Sequence, residues 1–140
     1  MAPRITLTDA PDATASAVIE GGLGRYNQEK AGYSDSRPLA VLVSDPSTGE
    51  VVGGALGRTS LGLCFVDLIY VPQTLRGHDV GTRVMQEAED EARRRGCRAV
   101  VLYTISFQAP GFYVKRGYRA FGEIPCDPPG TSRVFMVKDL

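Results

Sequence analysis

The chain has 140 residues, 43% of them hydrophobic and 23% charged, which suits one globular domain with a buried core. Basic and acidic residues number 16 each, and the zero net charge excludes the basic surface that non-specific nucleic-acid or anionic-membrane binding requires. No apolar run reaches the roughly 18 residues of a membrane span, and the N-terminal residues lack the apolar centre of a signal peptide.

Cys64, Cys97 and Cys126 are odd in number and widely spaced, so three reduced thiols in a cytoplasmic protein are expected. With a single histidine, no metal site is predicted.

In chain order, Arg4 to Thr8 is extended and stops at Asp9-Ala10-Pro11. Pro11 to about Gly24 is helical, with Ala15, Val18, Ile19 and Leu23 on one face. The polar stretch Tyr26–Pro38 is predicted as a loop or frayed helix. Leu39–Ser44 and Val51–Thr59 form a hairpin around Asp45-Pro46-Ser47-Thr48-Gly49-Glu50. Leu63–Val71 is a third strand whose one charge is Asp67. A carboxylate buried among such apolar neighbours is costly unless bonded.

A long helix follows, its apolar stripe set by Val80, Val84, Met85, Ala88 and Ala92 and its stop by Gly96. Glu89–Arg93, Asp90–Arg94 and Glu91–Arg95 stand at i, i+4, which suits ion pairs on a solvated face better than RNA binding by the arginine run. Ala99–Thr104 is an apolar strand, parallel to the third by the crossover rule. Gly111–Arg116 is a short helix, and Tyr118–Ile124 and Arg133–Val137 are the last two strands.

The loop between the third strand and the long helix carries the chemistry. A helix N-terminus has N–H groups without intrahelical partners and a partial positive charge. Gly77 and Gly81 let a bulky anion approach that backbone, and Arg76 and His78 add donors. A Walker loop requires Gly-x-x-x-x-Gly-Lys-Ser/Thr, and here Gly77 and Gly81 are four apart with no lysine. A dinucleotide fingerprint fits no better.

Arg76-Gly77-His78-Asp79-Val80-Gly81 instead resembles the Arg/Gln-x-x-Gly-x-Gly/Ala loop of the GNAT superfamily of acyl-CoA-dependent N-acetyltransferases. Ala109-Pro110-Gly111-Phe112-Tyr113-Val114-Lys115-Arg116-Gly117-Tyr118 resembles that family's A-x-x-x-Tyr-x-x-x-Gly-Phe/Tyr segment, in the right order downstream. Ser106 to Tyr118, with Pro128-Pro129-Gly130, is similar to small bacterial members.

The resemblance covers nearly the whole chain. It implies the α/β GNAT fold: a mixed central sheet with antiparallel N-terminal strands, a splayed parallel strand pair and flanking helices. It further implies an acetyl-CoA-dependent N-acetyltransferase whose acceptor is a primary amine on a small molecule. A degenerate acyl-CoA sensor and a protein lysine or N-terminal acetyltransferase are the alternatives, and a homodimer is admitted.

Residue by residue, the resemblance assigns the CoA pyrophosphate to Arg76, Gly77, His78, Asp79, Val80, Gly81 and Thr82, and the pantetheine arm to backbone groups of Ile69 and Val71. Tyr113 matches the tyrosine that protonates the departing thiolate. A backbone N–H between Ile69 and Val71 steadies the oxyanion, and Asp67 is either the base or a hydrogen-bonded structural carboxylate. Two departures stand out: Asp79 replaces the first glycine of the loop, and Ser106 replaces an asparagine that contacts CoA. Asp79 is expected to cap the following helix. Acceptor recognition is expected from Tyr26–Pro38 and Glu123–Ser132.

Overall fold

A computed structural model describes residues 2–140, which fall into two compact units, one ending at Ser34 and one running from Asp35 to Leu140. The first holds a single helix, α1 (Ala13–Ala31). Its N-terminus is capped by Asp12, whose carboxylate accepts the Ala15 N–H at 2.7 Å. It ends at Gly32, which takes φ 86° and donates its N–H to the Gln28 carbonyl at 3.0 Å. The helix thus runs through Gly21, Gly22 and Gly24, absorbs Tyr26–Ala31, and takes its left-handed stop only at Gly32. None of its residues is buried, Ala15, Val18, Ile19 and Leu23 included. Arg4–Thr8 forms no strand: Ile5 and Leu7 are 93% and 98% exposed and have no ladder partner.

The second unit is a six-stranded mixed sheet. Its elements are β1 (Arg37–Ser44), β2 (Val51–Ser60), β3 (Leu63–Tyr70), α2 (Val80–Arg94), β4 (Ala99–Ile105), α3 (Pro110–Lys115), β5 (Arg119–Cys126) and β6 (Thr131–Asp139). The spatial order is β1-β2-β3-β4-β6-β5, with β3 and β4 the parallel pair and every other neighbour antiparallel. The sequence order of the final strands is therefore inverted in space: β6 inserts between β4 and β5.

One sheet face packs against α2 and α3 around Cys64, Val66, Met85, Ala88, Val100, Leu102, Tyr113 and Met136. Burying a side chain such as Met85 contributes about 1.5–3 kcal/mol.

The parallel pairing of β3 and β4 lasts from Leu63↔Ala99 to Val66↔Leu102 and then stops. Beyond it β3 stays on β2 but leaves β4. A bulge marks the departure, since Gly57 pairs with Val66 and Leu56 with Leu68, leaving Asp67 as the extra residue. Bulges bend a strand and reverse its alternation. Cys64 and Val66 are buried, yet past the bulge Ile69 packs on the core while Leu68 and Tyr70 are exposed. Gly57 makes the bend possible: a Cβ there would strike the Phe65 carbonyl oxygen.

Both helices of this unit end in the same stop. After α2, Gly96 takes φ 79°, its N–H reaches the Arg93 carbonyl and the Cys97 N–H the Ala92 carbonyl. After α3, Gly117 takes φ 95°, its N–H reaches the Val114 carbonyl and the Tyr118 N–H the Tyr113 carbonyl. These paired bonds satisfy the last carbonyls and bring the residue after the glycine against the last turn. In α3 that contact joins Tyr118 to Tyr113, ring against ring at 5.7 Å.

The expected ion pairs of α2 are redistributed. Glu91 pairs with Arg95 as predicted, at 2.7 Å, and also with Arg94, while Asp90 pairs with Arg93 one residue closer than expected. Arg95 is no solvated helix end: its guanidinium donates to the Pro38 carbonyl at 3.0 Å and the Thr59 hydroxyl at 3.1 Å, tying α2 to β1 and β2. Glu89 does not face Arg93 at all. It is buried, takes Lys138 Nζ at 2.7 Å and accepts the Tyr118 hydroxyl at 2.9 Å.

Candidate active site

The divergence of β3 from β4 opens a cleft of about 660 Å³ on the helical side of the sheet, within the usual range for a small-molecule site. Ile69, Val71, Arg76, Gly77, Asp79, Val80, Gly81, Thr82 and Tyr113 line it, so nine of the expected site residues meet there. His78 is exposed and does not line the cleft. Ser106 is tied instead to β6: its N–H donates to the Ser132 carbonyl at 2.8 Å and its hydroxyl accepts the Ser132 N–H at 3.0 Å. Thr104 and Gln108 occupy the cleft wall in its place. Gln108 Oε1 accepts the Ile105 N–H at 3.0 Å and lies 3.2 Å from the Thr104 hydroxyl, fixing the loop after β4. The available sequence signal is Thr104 itself, a polar residue closing an apolar strand.

The α2 end of the cleft is built for an anion. The first amide of this helix with a main-chain partner is that of Arg83, which donates to the Asp79 carbonyl at 3.0 Å. The amides of Val80, Gly81 and Thr82 precede it and lie at the positive end of the dipole. Gly77 takes φ 88°, a conformation that favours glycine. A Cβ on Gly81 would meet Phe112 at 3.4 Å, so glycine also lets α2 settle against α3 at the cleft floor.

Asp79 does stand at the cap position, but with φ 58° its side chain makes no cap hydrogen bond. The left-handed backbone, which aspartate tolerates, turns the carboxylate out of capping range. Asp79 is therefore a conformational rather than a hydrogen-bonding cap.

The β3 edge is presented as expected, with one change. A Cβ on Gly53 would strike the Tyr70 carbonyl oxygen, so that carbonyl faces β2. By alternation, the polar backbone groups of Ile69 and Val71 face the gap. The Val71 carbonyl is already engaged, accepting from Arg76 Nε at 3.0 Å. This bond anchors Arg76 at the loop and leaves its terminal guanidinium nitrogens free of Val71.

Tyr113 is buried at the floor, and burial pushes its phenol up to about 12. Asp67, expected in apolar surroundings, is exposed because the bulge ejects it from the pleat. It lines a second cleft of about 210 Å³ that opens on the same gap and shares Ile69, Thr104, Gln108 and Tyr113 with the first. The gap is thus entered twice, with Tyr113 common to both entrances.

Cys64 is fully buried and burial raises its thiol to about 11, which makes it unreactive. No group of three or more metal-ligating side chains occurs among the described residues.

Known proteins resemble this chain over nearly its full length. A family model described as acetyltransferase (GNAT) family matches residues 10–118. An acetyltransferase of Agrobacterium fabrum is 32% identical over 135 residues, covering 96% of this chain and 98% of that protein. A blasticidin-S acetyltransferase of Streptomyces morookaense is 38% identical over 109 residues, covering 76% and 80%. A crystal structure of an Agrobacterium tumefaciens acetyltransferase superposes with a TM-score of 0.85 at 30% identity, covering 99% of this chain and all of the other.

Proposed function

Because the chain belongs to the GNAT family of acetyltransferases, and so uses acetyl-CoA, we propose that it transfers acetyl directly to a primary amine of a small molecule. The observation that carries this reading is the two-sided gap, two clefts that share Ile69, Thr104, Gln108 and Tyr113 and so give donor and acceptor separate ways to Tyr113. The relative named for blasticidin S supports a small acceptor, and three free cysteines suit a reducing compartment such as the cytoplasm.

Acetyl-CoA supplies an acyl group activated as a thioester. The free amides of Val80, Gly81 and Thr82, with Arg76, hold its pyrophosphate. The gap-facing backbone of Ile69 pairs with the pantetheine arm as an added strand would. The Ile69 N–H also points where negative charge grows on the carbonyl oxygen. Asp67 receives a proton from the incoming ammonium. Of the two protons the nitrogen loses, one ends on sulfur and the other in solvent.

Tyr113 acts as a hydrogen-bond donor rather than a full proton donor. A phenol at about 12 facing a thiolate of about 8.5 would lose roughly 3.5 pKa units on transfer, about 5 kcal/mol. Keeping its proton, it stabilises the departing sulfur, and water completes the protonation.

Free CoA release from acetyl-CoA across a panel of primary amines tests the reading. Tyr113→Phe is expected to lower kcat about 10–100-fold, the usual effect of one hydrogen bond to a charged group, with acetyl-CoA affinity retained. Binding without turnover on any amine would indicate a sensor instead. Acetylated peptide in the same assay would indicate a protein substrate.

A further inference from the structure

We propose that the acceptor is an amine that also carries a carboxylate, an amino-acid-type zwitterion, with Arg133 as the carboxylate anchor opposite Asp67. The proposal rests on the reading that amine transfer takes place in the β3–β4 gap.

The smaller cleft carries one anionic and one cationic side chain, and they stand on different walls. Asp67 belongs to β3, while Arg133 belongs to β6 and pairs in register with Ile105 of β4. The Arg133 guanidinium lies over the Tyr103 ring, 5.1 Å from its centroid. Continuing the parallel register one step past Val66↔Leu102 sets Asp67 opposite Tyr103, where the strands have begun to part.

Asp67 and Arg133 therefore face each other across the opening, yet form no salt bridge with one another or with any other described residue. They stand on strands with β4 between them, and the divergence of β3 from β4 leaves room between the two groups.

The chemistry of the two groups selects the ligand. Asp67 attracts the ammonium that must become the nucleophile. Arg133 offers a planar fork of donors, and stacking on Tyr103 holds that plane in place before anything binds. A planar carboxylate is the anion that fork matches, through two parallel charge-assisted bonds. An amino acid spans both groups in one fixed direction. Arg133 lines only the smaller cleft, so the carboxylate end stays away from the pyrophosphate. The cleft volume of about 210 Å³ equals that of about seven waters. That admits the head of an amino acid, with its remainder leaving through the open mouth.

The test compares free α-, β- and γ-amino acids, each beside its carboxamide and its decarboxylated amine, by CoA release. The wild-type enzyme should favour the carboxylate member of at least one set by 10-fold or more in kcat/KM. In Arg133→Ala that preference should fall at least 10-fold, mainly through acceptor KM, and Arg133→Lys should restore part of it. Equal or faster turnover of the decarboxylated amines, or a preference that survives in Arg133→Ala, overturns the proposal while leaving amine transfer standing. If no amine releases CoA, both fall.

Discussion

Two pairs of opposite charges neighbour Tyr113, and the fold treats them in opposite ways. Glu89 and Lys138 are joined at 2.7 Å, with the Tyr118 hydroxyl closing the cluster from a third side, and the glutamate side chain is 1% exposed. Asp67 and Arg133 share an open cleft and form no salt bridge among the described residues. The first pair completes its own hydrogen bonding and shapes the wall behind Tyr113 through the Tyr118 ring. The second is left incomplete by the protein itself. Whether a charge serves the fold or a ligand is visible here in whether its partner is already present.

The comparison can be broken most forcefully at Glu89. Glu89→Ala should cost about 3–5 kcal/mol, because it strands Lys138 and leaves the Tyr118 hydroxyl without its acceptor. Urea denaturation reads this directly. The double variant Glu89→Leu/Lys138→Met should lose clearly less than Glu89→Ala, since the half-buried ammonium of Lys138 is then no longer left without its carboxylate. A double variant as unstable as the single would mean the pair matters by shape rather than charge.

A second effect comes from alkaline pH. Burial raises the Tyr113 phenol from about 10 in the unfolded chain to about 12 in the fold. Between these values the unfolded state loses the proton first, so this contribution to stability is complete below pH 10 and is lost as pH rises toward 12. The full shift corresponds to about 2.7 kcal/mol. Tyr118 is shifted in the same direction, by burial first and then by the Glu89 carboxylate. The stability–pH curve of Tyr113→Phe should therefore be flatter than wild type above pH 10. Parallel curves would show that Tyr113 ionises freely in the fold.

The unpaired charges should be nearly silent in stability. Asp67→Asn is expected within about 0.5 kcal/mol of wild type, as for surface positions without partners, and Arg133→Ala within about 1 kcal/mol, since it gives up only its stacking on Tyr103. A loss above 1 kcal/mol in either would place that side chain in the framework and erase the contrast.

Asp79→Gly gives the smallest change and sharpens the other end of the site. A side-chain cap would be worth about 1 kcal/mol, but Asp79 makes no such bond and already holds φ 58°. Stability should stay within about 0.5 kcal/mol, while acetyl-CoA binds modestly more tightly once a carboxylate leaves the phosphate loop. Calorimetric titration and thermal melts separate the two outcomes.

Local signals in the chain reveal the strand–loop–helix core, the glycine stops and the cleft-lining turn from Arg76 to Thr82, because each is written within a few residues. Glu89 could not be read that way: its spacing to Arg93 suggests a surface pair, whereas its partner Lys138 lies 49 positions along. Asp67 looks buried among Phe65, Val66, Leu68 and Ile69, and only the pairing of β3 with β2 exposes it. Ser106 is likewise claimed by β6, whose place beside β4 no local pattern states. Arg4–Thr8 shows the reverse error, an extended pattern with no strand to pair with.

The one-residue bulge at Asp67 also sets how far β3 and β4 run together. Removing that residue would restore the regular pleat while keeping Leu68 opposite Leu56 and Ile69 opposite Ala55, so the two faces would stay as they are and the bend alone would be lost. The reason for β3 to part from β4 would disappear with that bend. No point substitution does this. Replacing Asp67, Tyr103 or Arg133 changes which side chains meet the acceptor, but a change in strand length decides whether there is a gap to meet in. A homologue with an altered acceptor can therefore differ at those three side chains, whereas one lacking the extra residue should have lost transfer altogether.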